Sequence, residues 1–198
     1  MDATWDALDR AYFNGYALWT YLMTPFLFAM QGFRSEEIAP WKEGTDTWRG
    51  LRVTFPTEIA SHSREQDFCF GSDFLLRRHD YHVEASGGFA VAQYVFDNVT
   101  VQGITFPTRR RAYMKDEKLL PIHEKLMVSI DISNLRLSSS AAGRRASYIR
   151  VTYHGEEQQG RSLPKRFRNI SVTAYEFRRR TPVLTKTGLI WMDSMESI

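Results

Sequence analysis

Six consecutive residues, Arg77-Arg78-His79-Asp80-Tyr81-His82, are the densest set of groups able to do chemistry in this chain. They offer guanidinium donors for an anion, imidazoles for proton transfer or metal ligation, a carboxylate and a phenol. What they can do together depends on which of them share a face. The surrounding run, Gln66 to Glu84, has strand-forming residues on either side of Gly71, Ser72 and Asp73, which suit a tight reversal, so it reads as a β-hairpin. Successive strand side chains point to opposite faces. Leu75, Arg77, His79, Tyr81 and Val83 therefore share one face, and Leu76, Arg78, Asp80, His82 and Glu84 the other. The first set begins and ends apolar and is assigned to the interior, the second to solvent. Arg77 and His79 then need buried partners or a cavity. On the first arm Gln66, Phe68 and Phe70 share the inner face, opposite Asp67 and Cys69, and His62 joins them if the strand starts that early.

That alternation weighs against a metal site, because His79 and His82 fall on opposite faces and only Asp80 and His82 share one. It also separates His79 from Asp80, so His79 acting as a general acid or base needs an acidic partner from another strand. No nucleophile motif, phosphate-binding glycine loop or dinucleotide fingerprint is present, and no cofactor is expected. A second arginine cluster, Arg109 to Arg111, poses the same question: in a strand either Arg110 or the pair Arg109 and Arg111 faces inward, whereas a loop would lift the constraint.

The elements that position these groups follow from periodicity. Ala11 to Phe33 carries no charge, yet Asn14, Gly15, Thr20, Thr24, Pro25 and three tyrosines dilute it, which disfavours a membrane span. Large residues at Leu8, Tyr12, Tyr16, Trp19, Met23 and Phe26 have helical spacing and predict an aromatic helix that Pro25 ends or kinks. A polar connection with Pro40 and a turn at Glu43 to Asp46 follow. Strands are predicted from Trp48 to Phe55, through the hairpin, over Phe89 to Asp97, around Gln102-Gly103, and over Met127 to Ser133 with Val128, Ile130 and Ile132 inward. Strands joined by short turns after one helix describe a mainly β (α+β) fold. The predicted architecture is a curved, half-barrel-like antiparallel sheet wrapping an N-terminal aromatic helix.

The 198 residues suit one core, expected over residues 1–137. Residues 138–198 open with the low-complexity SSSAAGRRAS, carry net charge +6 against −3 for the remainder, and are expected to be a basic, poorly ordered or loosely attached extension. Their RRR and KRFR clusters suit a solvated extension better than a specific nucleic-acid site, since no compact basic fold accompanies them. A single cysteine, Cys69, cannot form an internal disulfide, and the acidic MDATWD lacks the basic start of a secretory signal, so the expected location is cytoplasmic.

The segments AYFNGYALWTYLMTPFLFA, EEIAPWKEGTDTWRGLRVTFP, HSREQDFCFGSDFLLRRHDY, GITFPTRRRAY and LMVSIDIS resemble a family of uncharacterised microbial proteins from actinobacteria and fungi, over about Tyr12 to Leu137. That family is similar in fold to the bacterial lipoprotein carriers, whose unclosed antiparallel barrel wraps helices and holds acyl chains. Members have further strands before the aromatic helix, so the resemblance implies an N-terminally truncated chain with an unrelated C-terminal tail. It supplies no catalytic residues.

An apolar helix against an inner face bearing a few polar groups is the composition of a small-molecule pocket. The expected function is non-catalytic binding of a hydrophobic molecule carrying a carboxylate or phenolate. Arg77 would be the counter-charge, His79, Tyr81 and Gln66 the polar contacts, and Phe68 and Phe70 part of the wall. The alternatives are an isomerase or cyclase of secondary metabolism with His79 as acid or base, and an interaction protein, such as a homodimer, pairing through a free sheet edge.

Overall fold

The computed structural model describes residues 5–133, 135, 147–154, 169–174, 180–185 and 188–193. It begins with α1, Ala7–Met23, started by Asp6, whose carboxylate accepts from the backbone of Leu8 and Asp9 while Asp9 accepts from the Asp6 N–H. This reciprocal cap satisfies N–H groups that the first turn leaves unpaired. Thr24 and Pro25 end the helix, and a short 3₁₀ turn, Phe26–Ala29, continues the chain. Pro25 thus stops the helix as its chemistry requires.

The strands are β1 Arg34–Glu43, β2 Asp46–Thr54, β3 Glu65–Phe70, β4 Leu76–Val83, β5 Phe89–Val101, β6 Ile104–Lys115, β7 Pro121–Ser133, β8 Ser147–His154 and β9 Asn169–Ala174. They form one open antiparallel sheet in chain order, while β10 Arg180–Thr185 and β11 Gly188–Asp193 pair separately. The chain is therefore mainly β, an unclosed meander around one N-terminal helix. The expected boundary at 137 and the linker after it lie outside the described residues. Strands β8 and β9 fall where short β-like pieces were expected and continue the sheet from β7.

One face of the sheet packs on the helix. Leu18, Tyr21 and Leu22 of α1 meet Tyr81, Val83, Val91, Ala112, Ile130 and Ile132. Leu27 of the 3₁₀ turn meets Val53, Phe55, Phe68, Leu76 and Val95. Side chains buried this completely contribute about 1.5–3 kcal/mol each relative to exposure. Val128, Ile130 and Ile132 face the helix as the alternation predicted. The helix itself sits differently from its predicted stripe: Leu8 and Tyr12 are exposed, and the buried residues concentrate from Ala17 to Leu22, where α1 is enclosed on several sides.

Strand β1 occupies what was read as a polar connection. It is an edge strand exposed along most of its length, so it lacks the alternation that marks a half-buried strand. Its pairing with β2 is irregular between Ile38 and Trp41, where Pro40, which has no N–H to donate, sits outside the regular register.

Candidate functional site

The β3–β4 hairpin brings Gln66, Phe68, His79 and Tyr81 to the helix-facing side, as expected, and Phe70 packs at the rim of the same core. Arg77 does not join them. Cys69 pairs with Arg78 but Phe70 pairs with Leu76, so an extra residue is inserted on β4 at this point. Such a bulge resets the alternation. It puts Leu76 inward and turns Arg77 out to Asp73, 2.6 Å away, with both side chains partly exposed. The inward assignment of Arg77 is thereby corrected.

The solvent assignment of Arg78 and Asp80 is corrected too. Arg78 has a side-chain exposure of 0%, grips Asp80 through Nε and Nη2 at 2.6 and 2.7 Å, and lies 3.9 Å from the centre of the Trp41 ring. Asp80 also accepts from Lys115 Nζ at 2.8 Å, while Trp41 Nε1 and the Tyr94 hydroxyl donate to Glu43. The outer face is not open to water here because β1 lays Trp41 over it. This network joins β1, β4, β5 and β6 with its main charges matched, and reads as a structural joint.

The inner cluster is different. Arg110 of β6, 1% exposed, is the inward member of the triple arginine; Arg109 and Arg111 turn outward to Asp97 and Asp131. Arg110 Nη1 donates to Gln93 Oε1 at 2.9 Å and Nη2 donates to the backbone carbonyl of Tyr21, and its guanidinium lies 4.9 Å from the Tyr21 ring centre. The Tyr21 hydroxyl bonds His62 Nε2 at 2.8 Å and the Tyr81 hydroxyl at 2.9 Å. His62 stacks on Tyr81 with centroids 4.3 Å apart, and His79 stacks on Phe68 at 4.2 Å. Gln66 Nε2 donates to the Ser63 carbonyl at 2.8 Å, which leaves Gln66 Oε1 as acceptor for His79 Nε2 at 2.6 Å. His79 therefore carries its proton on Nε2.

The connection between β2 and β3 is tied down to deliver His62: the backbone N–H of Glu84 donates to the His62 carbonyl and that of His82 to Ser63 Oγ. Burial pushes His62 down to about 3. Burial first, then Arg110 and His62, holds His79 well below the ordinary imidazole range. Both rings are neutral at neutral pH. Burial raises Tyr21, opposed by Tyr81, Arg110 and Gln93. Burial lowers Arg110 to about 10, opposed by Tyr21 and Tyr81, and it stays a cation near neutrality.

Arg110 has no carboxylate at ion-pair distance among the described residues, where Arg49, Arg52 and Arg78 each hold one. Arg110 Nε, Gln93 Nε2 and His62 Nδ1 are buried with no hydrogen bond of good geometry among the described residues, Gln93 Nε2 reaching only weakly toward the Tyr21 hydroxyl. The first two are obligate donors, so the cluster holds more donors than acceptors. Gln93 and Tyr21 were not singled out from the sequence. Their signals were a lone glutamine on a strand apolar on both faces and the tyrosine next to the helix end.

Among the described residues, no group of three His, Cys, Asp or Glu side chains could hold a metal ion, and no helix is long and apolar enough to cross a membrane. Fold and site together define an open antiparallel sheet that buries a cationic, donor-rich cluster beneath a helix. No family model, curated protein or solved structure matches the chain.

Proposed function

We propose that the protein is a non-catalytic binder of a hydrophobic small molecule bearing an acidic group, with Arg110 as the counter-charge. The observation that carries this reading is a fully buried guanidinium with no acidic partner among the described residues and with Nε unspent. An isolated buried charge is costly, and a ligand anion offsets that cost. Gln66, His79 and Tyr81 supply the polar surroundings, and Phe68, Phe70 and the apolar residues of α1 supply the wall. Because α1 covers the cluster, occupancy requires part of the helix end to yield, and exchange is slow. Such an arrangement is in line with the resemblance to a family similar in fold to the lipoprotein carriers, and a cytoplasmic setting is in line with the single buried cysteine.

Catalysis by His79 has less behind it. Its Nε2 is committed to Gln66 and its ring to Phe68, and no carboxylate supports it among the described residues. Pairing through β1 is discouraged by Pro40 and by the charges of Glu36, Glu37 and Lys42 along that edge.

Native mass spectrometry of the purified full-length protein, followed by denaturation, tests the proposal. A released amphipathic acid supports it. A folded protein that carries no such molecule and takes up neither decanoate nor its alcohol analogue overturns it.

A further inference from the structure

The geometry points to Gln93 as the residue that makes this site selective for a ligand with one negative charge, a monocarboxylate rather than a phosphate ester. The inference rests on the reading of Arg110 as a ligand's counter-charge and names the ligand's charge class and the residue that sets it.

Three other arginines show how this chain holds a carboxylate. Arg49, Arg52 and Arg78 each engage one through Nε and Nη2 together, gripping Glu37, Asp67 and Asp80. On Arg110 the same edge of the guanidinium is half used: Nη2 is on the Tyr21 carbonyl and Nε is free. The third nitrogen, Nη1, is on Gln93. Gln93 is therefore the side chain that occupies the place of an internal counter-ion while carrying no charge. Glutamate has the same length and shape and would neutralise Arg110 within the chain. Glutamine accepts from Arg110 through Oε1, which turns its Nε2 donors away from the guanidinium and toward the Tyr21 hydroxyl, where Nε2 makes no hydrogen bond of good geometry among the described residues. One side chain thus leaves the cation uncompensated and adds a second donor beside it.

The charge count limits the ligand. The groups facing Arg110 are Tyr21 from α1, His62 from the β2–β3 connection, His79 and Tyr81 from β4, and Gln93 from β5. The two imidazoles are neutral near pH 7, so among the described residues Arg110 is the one charged side chain of the cluster. A monoanion matches it. A dianion brings a second charge into a buried site with nothing to match it, which is disfavoured.

The test compares decanoate, decanol and decyl phosphate at pH 8, read by tryptophan fluorescence, on wild type, Gln93→Glu and Arg110→Met. Expected is at least about a tenfold preference of wild type for decanoate over both analogues. Gln93→Glu should lose that preference and melt at least about 4 °C higher, because the buried cation gains its partner. Arg110→Met should prefer decanol. Equal binding of decyl phosphate and decanoate by wild type overturns the charge class. Undiminished decanoate preference in Gln93→Glu overturns the role of Gln93, and in Arg110→Met overturns the counter-charge. If wild type binds none of the three probes, the proposed function fails, and the melting temperature of Gln93→Glu still decides the inference. A rise supports the charge deficit at Arg110; no rise overturns it.

Discussion

Arg110 caps the backbone carbonyl of Tyr21, which has no helical partner because the residue four positions on is Pro25 and lacks an N–H. A residue of β6 thereby completes the end of α1, and the same guanidinium is the charged centre of the candidate site. Removing it leaves two buried acceptors, the Tyr21 carbonyl and Gln93 Oε1, at about 1–3 kcal/mol each, but also removes an uncompensated buried charge worth several kcal/mol. Arg110→Met should therefore fold with stability near wild type. Arg110→Ala, which adds a cavity, should be about 2 kcal/mol less stable than the methionine variant. Equal denaturation midpoints for the two would contradict this account of the site.

Acid should loosen the cluster. His62 and His79 titrate near 6.5 in the unfolded chain, while in the fold burial pushes His62 down to about 3 and His79 in the same direction. The unfolded chain takes up these protons first as pH falls. The stability the neutral rings confer is complete above about 6.5 and is lost progressively as pH drops below it, for His62 down to about 3. Urea midpoints at pH 7.5 and 5 should differ accordingly, and His62→Phe should reduce the slope. A midpoint constant over that interval would show that the rings are not held neutral.

Two adjacent arginines on β4 should behave oppositely. Arg77 makes a partly exposed pair with Asp73, so Arg77→Ala should cost no more than about 1 kcal/mol and leave ligand affinity unchanged. Arg78→Ala removes the buried guanidinium that Trp41 covers and leaves Asp80 with Lys115 alone, and should cost about 3 kcal/mol. Chemical denaturation of both variants checks the order, and a reversal would mean that the bulge is misplaced.

Gly50 of β2 pairs with Ile38 of β1, and the packing there leaves no room for a side chain. A methyl group there would lie 2.7 Å from Ile38 Cγ1 and 2.9 Å from the Ala39 carbonyl oxygen, so Gly50→Ala must push β1 away. Hydrogen exchange should show β1 amides losing protection before those of β5 and β6, which lie at the centre of the sheet. Unchanged β1 protection would mean the strand accommodates the methyl without moving.

Local chemistry in the sequence determined much of this protein. The period-two patterns of β3 and β7 assigned Gln66, Phe68, Val128, Ile130 and Ile132 to the inner face, and Pro25 marked where α1 ends. The arginine triplet demanded that something charged face inward. Alternation holds only while the register is unbroken, however, and the bulge at Arg77 turned that side chain out, while Arg78 kept its outer face and was buried there by Trp41 of β1. Strand β1 was hidden because an exposed edge needs no hydrophobic period. Which arginine of the triplet turns inward, and that it meets Tyr21 eighty-nine residues away, was decided by tertiary packing alone. A residue's partner across the core depends on how helix and sheet dock, and short-range spacing carries no record of that.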